Sequence, residues 1–218
     1  MLVKNWMSPT VISLDVNDSV QKANQLLIDH RIRSLPVLEN GRLAGIVSDR
    51  DLRTASVSDN SGLDRHELVY LNTRLKIREI MTRNPISVSP DMTVDEVAEI
   101  MYQKKISGLP VVDGKGDLVG IITQGDIFRL LISLTGIEKK GVQVAVQLKD
   151  ESGSIRETAD ILRRYGGRVV SVLTSFEQAP TGMRNVYFRV SQLDLTRLDE
   201  LKADVASQAT LLYVVAHS

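Results

Sequence analysis

The same stretch of sequence occurs twice in this chain, and a duplication limits the possible folds more than any composition does. Met7-Ser-Pro-Thr-Val-Ile-Ser-Leu14 reappears as Met81-Thr-Arg-Asn-Pro-Ile-Ser-Val88. At the same offset Ser19-Val20 falls on Thr93-Val94, and Ile32-Arg-Ser-Leu-Pro-Val37 falls on Ile106-Ser-Gly-Leu-Pro-Val111. After one inserted residue, Leu43-Ala-Gly-Ile-Val-Ser-Asp-Arg-Asp51 matches Leu118-Val-Gly-Ile-Ile-Thr-Gln-Gly-Asp126. Composition alone does not keep these residues in one order twice.

Each copy reads as strand, helix, strand, strand, helix. Val11–Leu14 and Ile86–Val88 are short and β-branched, which suits strands. Thr93 and Glu96 form a capping box before a helix with Val94, Val97 and Met101 on one face; Asp18 and Gln21 are expected to do the same, more loosely, for Val20, Ala23 and Leu27. Asn40-Gly41 between Leu35–Leu38 and Leu43–Val47 predicts a hairpin, as does Asp113–Gly116 in the second copy. Proline inside Leu-Pro-Val argues for an edge position or a strand start, because it has no N–H for a ladder. Thr54–Asp64 reads as a loop, and Leu68–Ile80 as a segment packing beside the second copy. That segment mirrors Leu2–Met7, so each unit is expected to open with a lead-in that docks on its partner.

The last third changes period. Val142, Val144, Val146 and Leu148 alternate with polar or small residues, the pattern of a half-buried strand. Ser154 and Glu157 suggest another capping box, opening a helix that buries Ile155, Ala159 and Leu162. Strands over Val169–Thr174, Asn185–Val190 and Leu211–Val215, with a helix marked by Leu198, Leu201 and Val205, complete the order βαββαβ. That order predicts a ferredoxin-like antiparallel sheet with both helices on one face. The fold class is therefore mixed α/β (α+β), and the expected domains are 1–64, 65–135 and 141–218.

The duplicated unit closely resembles the CBS domain, whose tandem pair forms a Bateman module. The residues that carry the resemblance are the opening Met-x-x-x-x-Ile-Ser, the Leu-Pro-Val strand, and the Gly-Ile-Val-Ser-Asp-Arg-Asp51 and Gly-Ile-Ile-Thr-Gln-Gly-Asp126 segments. The C-terminal part resembles an ACT domain, with Leu148-Lys-Asp-Glu-Ser-Gly153-Ser-Ile155 as its first strand-to-helix turn. The order of the two is similar to that of acetoin-utilization B-type proteins of bacteria.

Ser48-x-x-Asp51 and Thr123-x-x-Asp126 lie where a strand ends and a helix begins. An aspartate there can accept both hydrogen bonds of a ribose diol, and a hydroxyl with helix N-terminal amides suits a phosphate. The resemblance implies those roles for an adenine nucleotide (AMP, ADP or ATP) or another adenosyl ligand, with the base near Val11-Ile12 or Pro85-Ile86. The opposing reading is that both pairs only cap helices. Arg31, Arg33 and Arg50 surround the first motif, while Ser107 and Gly125 take the places of Arg33 and Arg50 in the second. A guanidinium at Arg33 suits a phosphate better than Ser107 does, so the first site is expected to prefer more phosphate. Lys104-Lys105 would serve the second site, reach into the first cleft, or face water. In ACT-like domains the turn gives backbone amides to an amino-acid carboxylate, which makes Asp150, Gly153 and Ser154 candidates; a plain connecting turn is the alternative.

Other functions find less support. Cysteine is absent, which removes disulfides, thiolate metal sites and cysteine nucleophiles together. His30, His66 and His217 share no metal-ligand spacing, and no catalytic motif appears. The 27 basic and 27 acidic residues cancel. That balance, with 4% aromatics, weighs against a nucleic-acid role for Arg74-Leu-Lys76-Ile-Arg78. No apolar run approaches a membrane span, and the N-terminus lacks a signal peptide's apolar core, so a cytoplasmic protein is expected. The apolar run of Ile127, Leu130, Leu131, Ile132 and Leu134 suggests a homodimer. A non-catalytic regulator acting on an unidentified partner protein is the leading expectation, and an interaction scaffold without a small-molecule ligand is the alternative.

Overall fold

The computed structural model describes residues 1–55 and 74–217. Two compact units are present, Met1–Ile127 and Phe128–Ser218. From residue 56 onward the expected Thr54–Asp64 loop, His66 and the first part of Leu68–Ile80 lie outside the described residues.

In the first unit, β1 (Leu14–Asp15), α1 (Val20–His30), β2 (Ser34–Glu39), β3 (Arg42–Ser48) and α2 (Asp49–Ala55) make the first repeat. The second continues with α3 (Ile77–Ile80), β4 (Thr82–Arg83), α4 (Val94–Lys104), β5 (Gly108–Val112), β6 (Leu118–Thr123) and α5 (Gln124–Thr135), whose residues from Phe128 on are counted in the second unit. Helix α4 starts at the predicted box: Thr93 Oγ1 accepts from Glu96 N, and Glu96 Oε2 accepts from Thr93 N at 2.9 Å. The cap of α1 is Ser19 rather than Asp18, its Oγ accepting from Lys22 N at 3.2 Å. Asp18 is turned instead toward Asp15 N and Lys22 Nζ. Both helices end on a left-handed residue, Arg31 at φ 52° and Lys105 at φ 57°. That turn reverses the chain at matched places and leads into β2 and β5.

The sheets show which segment belongs to which repeat. The first has the order β1-β2-β3-β4, so the opening strand of the second repeat pairs with the first: Gly45 opposes Arg83 and Ile46 opposes Thr82. In return Ser8 pairs with Ile121 of β6, through bonds of 2.9 and 3.0 Å. The repeats exchange their lead-ins. Ile77 joins the core of Leu14, Val20, Leu27, Leu35, Val47 and Leu52, and its N–H donates to Asp18 O. Val3, at the equivalent position, is fully buried and donates to Met92 O. Burying such side chains stabilises by about 1.5–3 kcal/mol each. The lead-in thus docks on its partner as expected, but residues 75–83 pack on the first repeat, not the second.

Two local expectations change. The strand predicted at Val11–Leu14 is reduced to Leu14–Asp15, and the one at Ile86–Val88 to a single parallel bridge between Val88 and Val111. Pro36 lies in a strand with neighbours on both sides. However, β1 pairs only with Val37 and Leu38, so at Pro36 the strand is locally still an edge.

The second unit carries β7 (Gly141–Lys149), α6 (Ser154–Arg164), β8 (Arg168–Ser175), β9 (Met183–Ser191), α7 (Leu198–Ala206) and β10 (Thr210–His217). Its antiparallel sheet has the order β10-β7-β9-β8, the ferredoxin-like arrangement predicted from βαββαβ. Val142, Val144, Val146 and Leu148 meet Ala159, Leu162, Leu201 and Val205 in one core, which places both helices on the same face. Ser154 is not the cap of α6. Gly153, at φ 96°, takes that position, and Ser154 Oγ donates back to Glu151 O at 3.0 Å. A left-handed turn favours glycine because a Cβ would be strained there.

Candidate functional site

A cleft of about 610 Å³ opens in the first unit, where β3, the start of β2, the segment after β4 and the turn before β5 converge. That volume lies within the range of small-molecule sites. The first repeat supplies Arg33, Ser34, Ile46, Ser48, Asp49, Arg50 and Asp51; the second supplies Thr82, Pro85, Ile86 and Lys105–Leu109. The exchange of lead-ins explains the mixture. Thr82 pairs with Ile46 two residues before Ser48, so the chain beyond it carries Pro85 and Ile86 to the first repeat's aspartate.

Six residues singled out in the sequence therefore share one cleft: Arg33, Ser48, Asp51, Pro85, Ile86 and Ser107. Arg33 and Ser107, which the alignment would assign to different sites, stand together because the starts of β2 and β5 meet. A Cβ placed on Gly108 would lie 3.6 Å from Ser34 Oγ. Thr123 and Asp126 form the matching turn of the second repeat and do not line this cleft. Val11 and Ile12, half-buried, follow the Ser8–Ile121 bridge, so they relate to Thr123 as Pro85 and Ile86 relate to Ser48.

Asp51 is fixed on one side only. Ser48 N and Oγ both donate to its Oδ2, at 2.8 and 2.7 Å, and Asp51 N donates to Ser48 Oγ at 3.3 Å. This is a capping box with aspartate at its third helical position. Among the described residues Oδ1 takes no hydrogen bond, so one carboxylate oxygen is left to accept from a diol. Thr123 and Asp126 repeat the box at 2.9, 2.8 and 3.4 Å. Around Asp51 the wall divides chemically: Ile46, Pro85, Ile86 and Ile106 offer apolar surface for a planar base, and Arg33, Arg50 and Lys105 offer positive charge. Arg50, placed from sequence beside the first motif, lines the cleft, and of the alternatives open for Lys104-Lys105 it is the reach into the first cleft that Lys105 takes; Ile46 was not singled out from sequence.

The second unit has a shallower cavity of about 450 Å³, lined by Gly153, Ile155, Arg156, Ala159, Arg163, Val169, Val172 and Arg184. Of the predicted turn, Gly153 lines it. Asp150 pairs with Arg184 Nε at 3.4 Å, and Ser154 Oγ lies 3.5 Å from Arg184 Nη2. Arg184 is placed here by β9 opposite the end of β7, a register the sequence does not display. Among the described residues no three His, Asp or Glu side chains are grouped to hold a metal ion. No described helix is long and apolar enough to cross a membrane.

Two βαββα repeats that exchange their lead-in segments and share a cleft of small-molecule size define a tandem-repeat fold of a particular kind. The chain belongs to the CBS domain family, whose model matches residues 3–58 and 77–133, more than half of its length. A CBS domain-containing protein of Dictyostelium discoideum is 36% identical over 138 residues, covering 62% of this chain and 93% of that one. Inosine-5'-monophosphate dehydrogenase of Korarchaeum cryptofilum is 37% identical over 118 residues, but the match spans 22% of the enzyme and 54% of this chain. Among solved structures, the CBS domain pair of protein MJ0100 with 5'-methylthioadenosine and S-adenosyl-L-methionine is 37% identical, with a TM-score of 0.51 over 61% of this chain and 97% of that one. CBSX2 of Arabidopsis thaliana in complex with AMP gives 29% and 0.51, over 61% and 96%. A Vibrio cholerae protein assigned to acetoin utilization, AcuB, gives 31% and 0.53, over 64% and 96%.

Proposed function

We propose that the chain is a non-catalytic regulator whose CBS pair senses an adenine nucleotide or related adenosyl ligand. The observation that carries this is Asp51: one oxygen is locked by Ser48 and the other is open, in a cleft lined by both apolar residues and three cations. The similar CBS pairs that hold AMP, S-adenosylmethionine and methylthioadenosine support the same reading. The relatives named as enzymes share only a minor part of their length with this chain, which supports regulation over catalysis. In this reading Thr123 and Asp126, with Val11 and Ile12, form a second adenosyl site. The C-terminal unit acts as an ACT-like second sensor or transmitter, with Asp150, Gly153 and Ser154 at its ligand turn. The output passes to a partner protein, and the chain works as a cytoplasmic homodimer.

A second reading draws on the same hydrogen bonds. Both aspartates already complete capping boxes, and a scaffold would need nothing more of them. Thermal shift separates the two. Ligand at about 100 times its Kd stabilises a fold by roughly 2.7 kcal/mol, a rise of several degrees for a unit of this size. With AMP, ATP or S-adenosylmethionine the wild type shifts, and the Asp51→Ala, Asp126→Ala double variant does not. Its ligand-free stability falls by about 0.5–2 kcal/mol for each lost cap. A double variant that shifts as fully as the wild type, or a wild type that no adenosyl compound shifts, decides for the scaffold.

A further inference from the structure

The adenosyl reading leaves the ligand's charge open, and the cleft itself addresses it. Arg33 and Arg50 come from the first repeat and Lys105 from the second. All three are exposed, and among the described residues none is in an ion pair. Of the two carboxylates of the same wall, Asp49 pairs with Arg53 at 3.1 Å, and Asp51 is positioned by Ser48 but keeps its charge. With Asp49 matched by Arg53, three cations face the single charge of Asp51, and the net positive field favours a polyanion and disfavours a cation.

Lys105 differs from the two arginines. It is the left-handed residue that ends α4, and its Nζ rests 4.3 Å from the centre of the Tyr102 ring. Tyr102 is largely exposed, and a cation–π contact in water is weaker than a charge-assisted bond to phosphate. The four-carbon stem lets the ammonium leave the ring for a phosphate in the cleft.

We infer that this cleft selects an adenosine di- or triphosphate over uncharged or sulfonium-bearing adenosyl ligands, and that Lys105 of the second repeat contacts the terminal phosphate. The inference rests on the adenosyl reading above and narrows it. A ligand held in this way spans both repeats, with its ribose on Asp51 and its last phosphate on Lys105.

Calorimetric titration with ATP, ADP, AMP, adenosine, S-adenosylmethionine and tripolyphosphate tests it, on the wild type, Lys105→Ala and Lys105→Arg. The wild type binds ATP at least about 10-fold more tightly than adenosine or S-adenosylmethionine, the effect of one well-placed charged hydrogen bond. Lys105→Ala weakens ATP by about 10-fold and leaves adenosine within about 2-fold, and Lys105→Arg recovers most of the loss. Raising salt erodes the ATP advantage first, since exposed charges are screened. Adenosine or S-adenosylmethionine binding as tightly as ATP, or Lys105→Ala weakening every ligand equally, overturns this inference and leaves the adenosyl reading standing. Tripolyphosphate binding as tightly as ATP shows an anion site without nucleoside recognition. Failure of every adenosine compound to bind removes the adenosyl reading and this inference together.

Discussion

Met81 lays its thioether directly on Gly45, in the strand of the other repeat, and Met7 makes the same contact with Gly120. A Cβ on either glycine would overlap the sulfur, and on Gly45 it would also come within 3.0 Å of Thr82 O. Each exchanged lead-in is therefore seated by a methionine over a glycine. This accounts for two of the recurring residues of the repeat, the opening Met and the Gly of Gly-Ile-Val and Gly-Ile-Ile.

Gly45→Ala should destabilise the first unit by about 1–3 kcal/mol, the range for overpacking a filled site. Methionine is flexible, so part of the strain can relax. Combining Gly45→Ala with Met81→Ala should therefore cost less than the two single changes added together. Urea unfolding of the four proteins measures the coupling. Strict additivity would mean that the thioether does not seat the lead-in.

The dimer proposed above has a specific surface. On α5 the sequence run Ile127–Leu134 splits: Leu130 is buried, whereas Leu131, Ile132, Leu134 and also Phe128 are between 39% and 61% exposed. Exposed apolar clusters of this kind mark association surfaces more often than isolated residues do. Phe128→Lys with Ile132→Lys should convert a dimer into a monomer in sedimentation at tens of micromolar, with circular dichroism unchanged. A wild type that sediments only as a monomer at that concentration would end the proposal.

Much of this architecture could be read from the chain, and the limits have physical causes. The duplication, the Thr93–Glu96 box and the order βαββαβ are local patterns, so they are legible. The pairing of Asp51 with Pro85 and Ile86 is set by the register of β3 on β4, a long-range choice that no local pattern encodes. For the same reason Arg33 and Ser107 fall into one cleft although alignment separates them. Ser154 failed as a cap because Gly153 can adopt the left-handed turn that the chain needs one residue earlier. Asp18 was displaced by Ser19, whose shorter hydroxyl reaches Lys22 N while the carboxylate turns to Lys22 Nζ.

In the second unit, Tyr165 joins its two helices. Its hydroxyl donates to Asp204 Oδ2 at 2.8 Å, and Arg197 lies 4.6 Å from its ring centre. Tyr165→Phe keeps the ring and the cation–π contact and loses only the hydrogen bond. Asp204 is partly solvated and retains Arg164 at 3.4 Å, so the loss should be about 0.5–1.5 kcal/mol. Tyr165→Ala empties a buried site and should cost about 3–5 kcal/mol. Denaturant titration distinguishes these values. Equal losses would place the energy in the hydrogen bond rather than in the ring.

The capping box of α4 gives the second repeat an acid-sensitive element. The Thr93 backbone N–H, followed by its hydroxyl, donates to Glu96 and holds that carboxyl below its ordinary range. A group whose folded pKa is depressed adds stability that is complete above the unfolded pKa and disappears as pH falls through the folded one. The advantage of Glu96 over Glu96→Gln should therefore be constant at neutral pH, shrink as pH falls below about 4.5, and be lost once the carboxyl is protonated in the folded state too. Thr93→Ala removes the hydroxyl that caps Glu96 N but keeps the backbone N–H that donates to Glu96, and should cost about 0.5–2 kcal/mol at neutral pH. In that variant Glu96→Gln should keep much of its pH-dependent effect, because the backbone N–H, the larger of the two donors, is still present. Chemical denaturation of the wild type, the two single variants and the double variant across this range measures both points. A Glu96→Gln deficit that persists unchanged at pH 3 would show that Glu96 acts through packing and not through its charge.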